Sequence, residues 1–241
     1  MIEAIGLYKR FGEVLAVRDA TFSAAKGEVV GFLGPNGAGK TTTLRMLTTF
    51  LAPTGGTAKI AGFDIAQNSA EVRKQIGYLP ETPPLYNELT VQEYLTFAAK
   101  VRGVQKKLLK GAVENVIERC SLTEMRKRLC GSLSKGYRQR VGLAQALVHS
   151  PRVVILDEPT SALDPQQIIQ VRELIASLKE NHTVILSTHI LPEVVATCTK
   201  VVLINDGKVV LSESLDTLLQ RSSLEEVFLH YVAGESGDQE E

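Results

Sequence analysis

Gly34-Pro35-Asn36-Gly37-Ala38-Gly39-Lys40-Thr41, directly after the apolar run Val29–Leu33, decides how the rest of the chain is read. It satisfies the pattern G-x-x-x-x-G-K-[ST] at every fixed position and follows a segment of strand character. Its glycines let the backbone wrap closely enough for successive N–H groups to point at phosphate oxygens. A helix beginning near Gly39 adds the positive end of its dipole to the same place. Lys40 is placed to reach the outer phosphates, and the Thr41 hydroxyl to join the shell of a Mg²⁺ ion. With Thr42, the residues Gly34, Pro35, Asn36, Gly37, Ala38, Gly39, Lys40 and Thr41 form the candidate binding set. A plain strand-to-helix turn needs glycine but has no use for Lys-Thr at this spacing. The stretch predicts binding of a nucleoside triphosphate.

Length and composition narrow the class. The 241 residues accommodate one large domain or two small ones, and an apolar fraction of 44% supplies a substantial core. Lys+Arg and Asp+Glu stand at 27 each, so no global field draws in a nucleic-acid backbone or an anionic membrane. No apolar run reaches the roughly 18–20 residues of a membrane span. Met1-Ile2-Glu3-Ala4 lacks the basic and apolar regions of a signal peptide. A soluble chain is expected, free to dock onto a membrane partner. Cys120, Cys130 and Cys198 show no C-x-x-C spacing, so buried thiols in a reducing cytosol are expected rather than disulfides or zinc.

Four short apolar runs, 29–33, 153–156, 184–186 and 201–204, are rich in β-branched residues. That is how strands buried on both faces of a parallel sheet read. Residues 166–178 carry Ile168, Val171, Ile175 and Leu178 at helical spacing. Strand–helix alternation predicts an α/β fold with a mixed, mainly parallel sheet and right-handed crossovers. Residues 2–7, 14–22 and 57–61 read as half-exposed strands, hence an antiparallel β edge subdomain. From 83 to 150 no strand pattern appears. Thr90-Val91-Gln92-Glu93 is a capping box followed by the stripe Val91, Leu95, Ala98 and Val101, and 108–120 and 134–148 read as further helices. The expected organisation is one domain over 1–231. Its catalytic core spans 1–82 and 151–220, an all-helical insertion about 83–150, and a short helix 224–231. Acidic residues 232–241 are expected to be disordered.

Arg152-Val153-Val154-Ile155-Leu156-Asp157-Glu158 is an apolar strand ending in two carboxylates. In a doubly wound sheet the C-terminal strand ends face the ligand crevice. Asp157 is therefore placed to hold the Mg²⁺ shell and Glu158 to polarise an attacking water.

Further elements make the chain resemble the nucleotide-binding subunit of ABC transporters over residues 2–220. Leu133-Ser134-Lys135-Gly136-Tyr137-Arg138-Gln139-Arg140 resembles the LSGGQ signature of that family, and Ser161-Ala162-Leu163-Asp164 its D-loop. Thr188-His189, after an apolar run, matches its switch histidine. Phe11 fits the aromatic that stacks on adenine, with Tyr8 as the alternative. Ile76-Gly77-Tyr78-Leu79-Pro80-Glu81 occupies the Q-loop position, with Glu81 standing where the family carries glutamine. The signature also departs, having Lys135 and Tyr137 for Gly and Gln. These variations, and the ending Ser223-Leu224-Glu225-Glu226-Val227-Phe228, look like the bacterial exporter branch that handles drugs, polysaccharides, lipids or cofactor-assembly cargo.

The resemblance implies a Mg²⁺-dependent ATPase with ATP as the nucleotide, and His189 beside Glu158 as catalytic residues. It places Thr41, Asp157 and Glu81 near the metal; the other reading of Glu81 has it pair with a basic residue of a membrane partner. Ser134 and Gly136 are expected to meet the ATP held by a second copy or a paralogous subunit, closing a head-to-tail dimer. The implied partner is a polytopic membrane permease docking near Pro83-Pro84-Leu85-Tyr86, and the implied location is the cytoplasmic face of the inner or plasma membrane. A soluble ABC-type ATPase of DNA repair or translation is the alternative. It is disfavoured because Glu81 to Leu133 leaves room for only a few helices and the net charge is zero. A small-molecule kinase would leave the signature unexplained.

Overall fold

The computed structural model describes residues 1–161 and 163–233. The chain opens with β1 (Ile2–Phe11) and β2 (Val14–Ala24), an antiparallel pair, followed by β3 (Val29–Leu33) and α1 (Lys40–Leu47). Then come β4 (Gly55–Ile60), β5 (Phe63–Asp64), α2 (Ser69–Gln75) and β6 (Ile76–Leu79). Three helices follow: α3 (Val91–Val101), α4 (Leu109–Arg119) and α5 (Lys135–Leu147). The chain returns through β7 (Val153–Asp157), α6 (Pro165–Leu178), β8 (Thr183–Thr188), α7 (Leu191–Thr197), β9 (Lys200–Asn205) and β10 (Lys208–Ser214), ending in α8 (Leu215–Leu219) and α9 (Leu224–Ala233).

The strands lie in the order β5-β4-β1-β2-β10-β9-β3-β8-β7-β6. From β9 to β6 every pairing is parallel, and from β5 to β2 every pairing is antiparallel. A single parallel pairing, Lys208 with Asp19, joins the two halves. This is the mixed α/β sheet expected. Three of its strands were not read from the sequence: β5 is two residues long, β6 is short and contains Gly77, and β10 is apolar only at Val209-Val210-Leu211. The third edge strand starts two residues earlier than read and stops before Ala61, whose φ of +51° belongs to a turn.

Strands β3, β7 and β8 are buried along their whole length, and their residues alternate between two cores. Val29, Leu33, Val154, Leu156, Val184 and Leu186 face the helical side. Val30, Phe32, Val153, Ile155 and Ile185 face α1 and the antiparallel strands. Side chains on successive strand residues point to opposite faces, which is why unbroken apolar runs rather than alternating ones mark these strands. Each such side chain contributes about 1.5–3 kcal/mol when fully buried.

Residues 83–150 hold α3, α4 and α5, with two short 3₁₀ turns between α4 and α5. The Thr90 hydroxyl accepts from Glu93 N, and the Glu93 carboxylate accepts from Thr90 N at 2.9 Å, completing the capping box at the start of α3. Val91, Leu95 and Ala98 are buried as the stripe requires, but Val101 is 68% exposed. The helix ends there, so its last turn projects past the core. α9 runs two residues beyond the expected helix and is tied down by Asn205 Nδ2 donating to the Tyr231 carbonyl. Residues 234–241 lie outside the described residues. All three cysteines are free and buried, and burial pushes the Cys120 and Cys198 thiols up to about 12.

Candidate nucleotide site

Four parallel strands deliver their C-terminal ends to one edge of the sheet. Register pairs Leu33 with Thr188, Asp157 with Ser187, and Leu79 with Leu156. The loops that follow therefore emerge side by side: the glycine-rich loop after β3, Glu158 after β7, His189 after β8 and Glu81 after β6. They enclose a cavity of about 400 Å³ lined by Asn36, Gly37, Gly39, Lys40, Thr41, Thr42, Glu81, Glu158, Ser161 and His189, with Ala16 on the antiparallel side.

The loop's shape rests on backbone that only glycine accepts. Gly39 has φ +100°, and a Cβ there would stand 2.6 Å from the Ala16 carbonyl oxygen. Gly39 caps α1, and its carbonyl accepts from both the backbone N and the hydroxyl of Thr43 at 2.9 Å. Lys40 is 6% exposed; its ammonium donates to the Gly34 carbonyl at 2.8 Å and the Pro35 carbonyl at 3.0 Å. It lies 3.8 Å from a Glu158 oxygen. Burial lowers the Lys40 pKa, while the nearby Glu158 and Asp157 act the other way and favour its charge.

Asp157 is 1% exposed and accepts from Thr41 Oγ1 at 3.1 Å and Ser187 Oγ at 2.6 Å. The Ser187 hydroxyl also accepts from Glu158 N at 3.0 Å, so one side chain joins the two carboxylate positions. Glu158 turns the chain at φ +48°, a conformation that costs a non-glycine residue energy and needs its surroundings to hold it. His189 Nδ1 stands 3.2 and 3.1 Å from the two Glu158 oxygens. An ionised carboxylate only accepts, so Nδ1–H is the donor and Nε2 faces away as an acceptor in the neutral ring.

Among the described residues, no group of three His, Cys, Asp or Glu side chains could hold a metal by itself. Thr41 lines the cavity, and its hydroxyl lies 3.1 Å from an oxygen of Asp157 just behind it, so two hard oxygens stand side by side. That fits Mg²⁺, which binds through one or two protein oxygens and completes its shell from phosphates and water.

The expected residues do not all meet here. Phe11 ends β1, is 47% exposed, carries the Lys9 ammonium 5.1 Å from its ring centre, and does not line the cavity. Tyr8 is held in the β1–β4 pairing opposite Gly55. Ser134 is exposed and does not line the cavity; its hydroxyl accepts from Tyr137 N at 3.4 Å as the cap of α5. Lys135 begins that helix with no positive φ, so its replacement of glycine carries no backbone penalty. Gly136 is buried beneath the Gln167 side chain, whose Cδ would lie 2.6 Å from an added Cβ. Ser187 and Glu193 are functional neighbours that sequence reasoning missed. Ser187 could have been suspected from its place two residues before His189.

Comparison with known proteins identifies the family. The family model for ABC transporters matches residues 17–161. The bacitracin transport ATP-binding protein BcrA of Bacillus licheniformis is 39% identical over 224 residues, covering 92% of this chain and 72% of that protein. A solved structure of an ATP-binding subunit of an ABC transporter superposes with a TM-score of 0.87 at 30% identity, covering 95% of this chain and 98% of the other. A dimeric structure of MJ0796, a bacterial ABC transporter cassette, gives a TM-score of 0.81 at 25% identity over 89% of this chain and 99% of that one. On these likenesses, which span most of its length, the chain belongs to the ABC transporter family as an ATP-binding subunit.

Proposed function

We propose that this subunit hydrolyses Mg-ATP with Glu158 as general base and His189 as its partner, in a head-to-tail dimer that drives an exporter. The carrying observation is the convergence of Lys40, Thr41, Glu158 and His189 on one cavity, with Asp157 buried behind it and bonded to Thr41. Lys40 and the N–H groups of 34–42 hold the phosphates, and desolvation strengthens each of these charged contacts. Thr41 and Asp157 would hold Mg²⁺, which would neutralise charge on the phosphate oxygens. Glu158 accepts the proton of the attacking water, and His189 orients the Glu158 carboxylate through Nδ1. Glu81 lines the same cavity, which supports its metal-facing reading.

Ser134 and the start of α5 are exposed on the chain's own surface, as an element that acts on another subunit's nucleotide requires. A helix N-terminus suits that role because its N–H groups and dipole favour a phosphate. That the MJ0796 cassette structure is dimeric supports pairing of two such subunits. For the permease, the supporting feature is a groove of about 840 Å³ between α2 and α3. Tyr86, Phe97 and Val101 are exposed in it at 52%, 44% and 68%, and the Tyr86 and Phe97 rings meet at 5.5 Å. An aromatic cleft rimmed by Arg73, Lys74 and Arg102 suits a short apolar helix with acidic flanks. Among the described residues no helix is long and apolar enough to cross a membrane, so membrane attachment would come through that partner. Export rather than import is supported by the likeness to a bacitracin transport protein.

Two variants test the site. Lys40→Ala should lose ATP binding, and Glu158→Gln should keep it while hydrolysis slows by roughly 10²–10⁴-fold. Normal turnover in Glu158→Gln would place the base elsewhere.

A further inference from the structure

Behind the cavity lies a buried carboxylate that the proposed chemistry does not use. Glu193, on α7, is 1% exposed and does not line the nucleotide cavity. One of its oxygens accepts from the Thr160 hydroxyl; the other accepts from the Thr188 hydroxyl at 2.7 Å. Thr188 Oγ1 in turn accepts from Ile190 N at 3.0 Å. Arg172, on α6, stands 3.8 Å away. Thr160 and Thr188 are themselves 5% and 0% exposed.

Burying a carboxylate is costly unless every oxygen finds a donor, so an apolar side chain would be the stable filling for this space. The position of its donors explains why a carboxylate stands here. Thr160 is two residues after Glu158, and Thr188 is the residue before His189. Glu193 therefore grips both loops that carry the catalytic pair. Ser187 joins the same loops at the sheet edge, through Asp157 and Glu158 N. Two tie points fix the relative placement of two short segments where one leaves a pivot.

We propose that Glu193 is a positioning residue, holding the loops of Glu158 and His189 at the separation that lets the histidine orient the base. The inference rests on the proposed roles of Glu158 and His189. Its physical content is that the strained turn at Glu158 and the 3.1 Å contact to His189 persist because Glu193 clamps both loops from behind. Displacing a base by about 1 Å can lower a rate by up to about 10²-fold without touching substrate binding.

The test is a double-mutant cycle on the full chain, reading ATPase kcat, ATP affinity and thermal stability. Glu193→Gln keeps the shape and should reduce kcat by roughly 10–100-fold, with ATP affinity, set by Lys40 and its loop, within about twofold. In a His189→Ala background the same change should slow the enzyme by no more than about twofold, since the clamp then has no pair to align. Equal losses in the two backgrounds, or unchanged kcat per folded molecule, would overturn the inference. If Glu193→Gln does not fold, Thr160→Val removes one arm of the clamp at constant volume and enters the same cycle. Full ATPase activity in His189→Ala would overturn the site assignment itself, and this inference with it. A slow His189→Ala with additive losses would overturn this inference alone.

Discussion

His149, at the end of the helical region, should make the protein sensitive to mild acid, and its surroundings set the size of the effect. Its Nε2–H donates to the Ile76 carbonyl at 3.1 Å, while Nδ1 is buried with no hydrogen-bond partner. A second proton would have to sit on that nitrogen. Burial, followed by the positive charge of Arg102, lowers the His149 pKa from the ordinary 6.5 to about 4. The unfolded chain then takes up a proton near pH 6.5 that the folded chain refuses until about pH 4. Stability from this group is full above pH 6.5 and falls as pH drops through that window. The whole window corresponds to about 3 kcal/mol, and the step from pH 7 to 5 to about 2 kcal/mol. These are upper bounds, because the ring keeps some solvent contact. Urea unfolding at pH 7 and pH 5 should show wild type losing about that much more than His149→Gln, whose amide can still donate to Ile76 but does not titrate. Other acid-sensitive groups, His182 among them, are lowered in the same direction and cancel in the comparison. Equal losses in the two proteins would refute the argument.

Two other perturbations address the assembly and the metal. If the exposed cap of α5 acts outside its own subunit, as proposed, Ser134→Arg should leave ATP binding by the isolated chain within about twofold of wild type while abolishing ATP-dependent dimerisation and ATPase activity; sizing and turnover measured together decide this. Glu81→Gln should retain ATPase activity within about tenfold yet need more Mg²⁺ for half-maximal rate, since attraction to the cation and repulsion from phosphate and the other carboxylates, each roughly 3 kcal/mol at about 5 Å and an effective dielectric near 20, partly cancel. An unchanged Mg²⁺ titration with loss of coupling only in the assembled transporter would assign Glu81 to the permease instead.

The buried residues behind the cavity also separate holding phosphate from performing chemistry. Lys40 is anchored by carbonyls of its own loop, whereas the Glu158–His189 contact joins two loops from different strands. On the proposed roles, binding is local in the chain and hydrolysis is not, so variants of Ser187 or Glu193 should affect turnover more than affinity.

What the sequence determined alone follows the same division. Gly34 to Thr42 declared itself because phosphate binding by backbone N–H groups needs glycines and Lys-Thr at fixed spacing within one loop. The apolar runs leading to Asp157-Glu158 and Thr188-His189 were legible because a strand buried on both faces reads as a near-continuous apolar run, with polar residues only toward its ends. Strands β5, β6 and β10 were not legible: the first is two residues long, the second short and interrupted by glycine, the third apolar only at Val209-Val210-Leu211, and each has a neighbour that offers it a ladder. Tertiary structure alone decided which strand ends lie side by side. It showed that Glu81 lines the cavity and that Phe11 does not, that Gly136 is covered by Gln167, and that Ser187 and Glu193 bridge loops about 30 residues apart in the chain. A single serine or glutamate carries no signature of such a role. Its meaning lies in donors and acceptors brought within 3 Å by strand order, and strand order is set by the packing of the whole sheet.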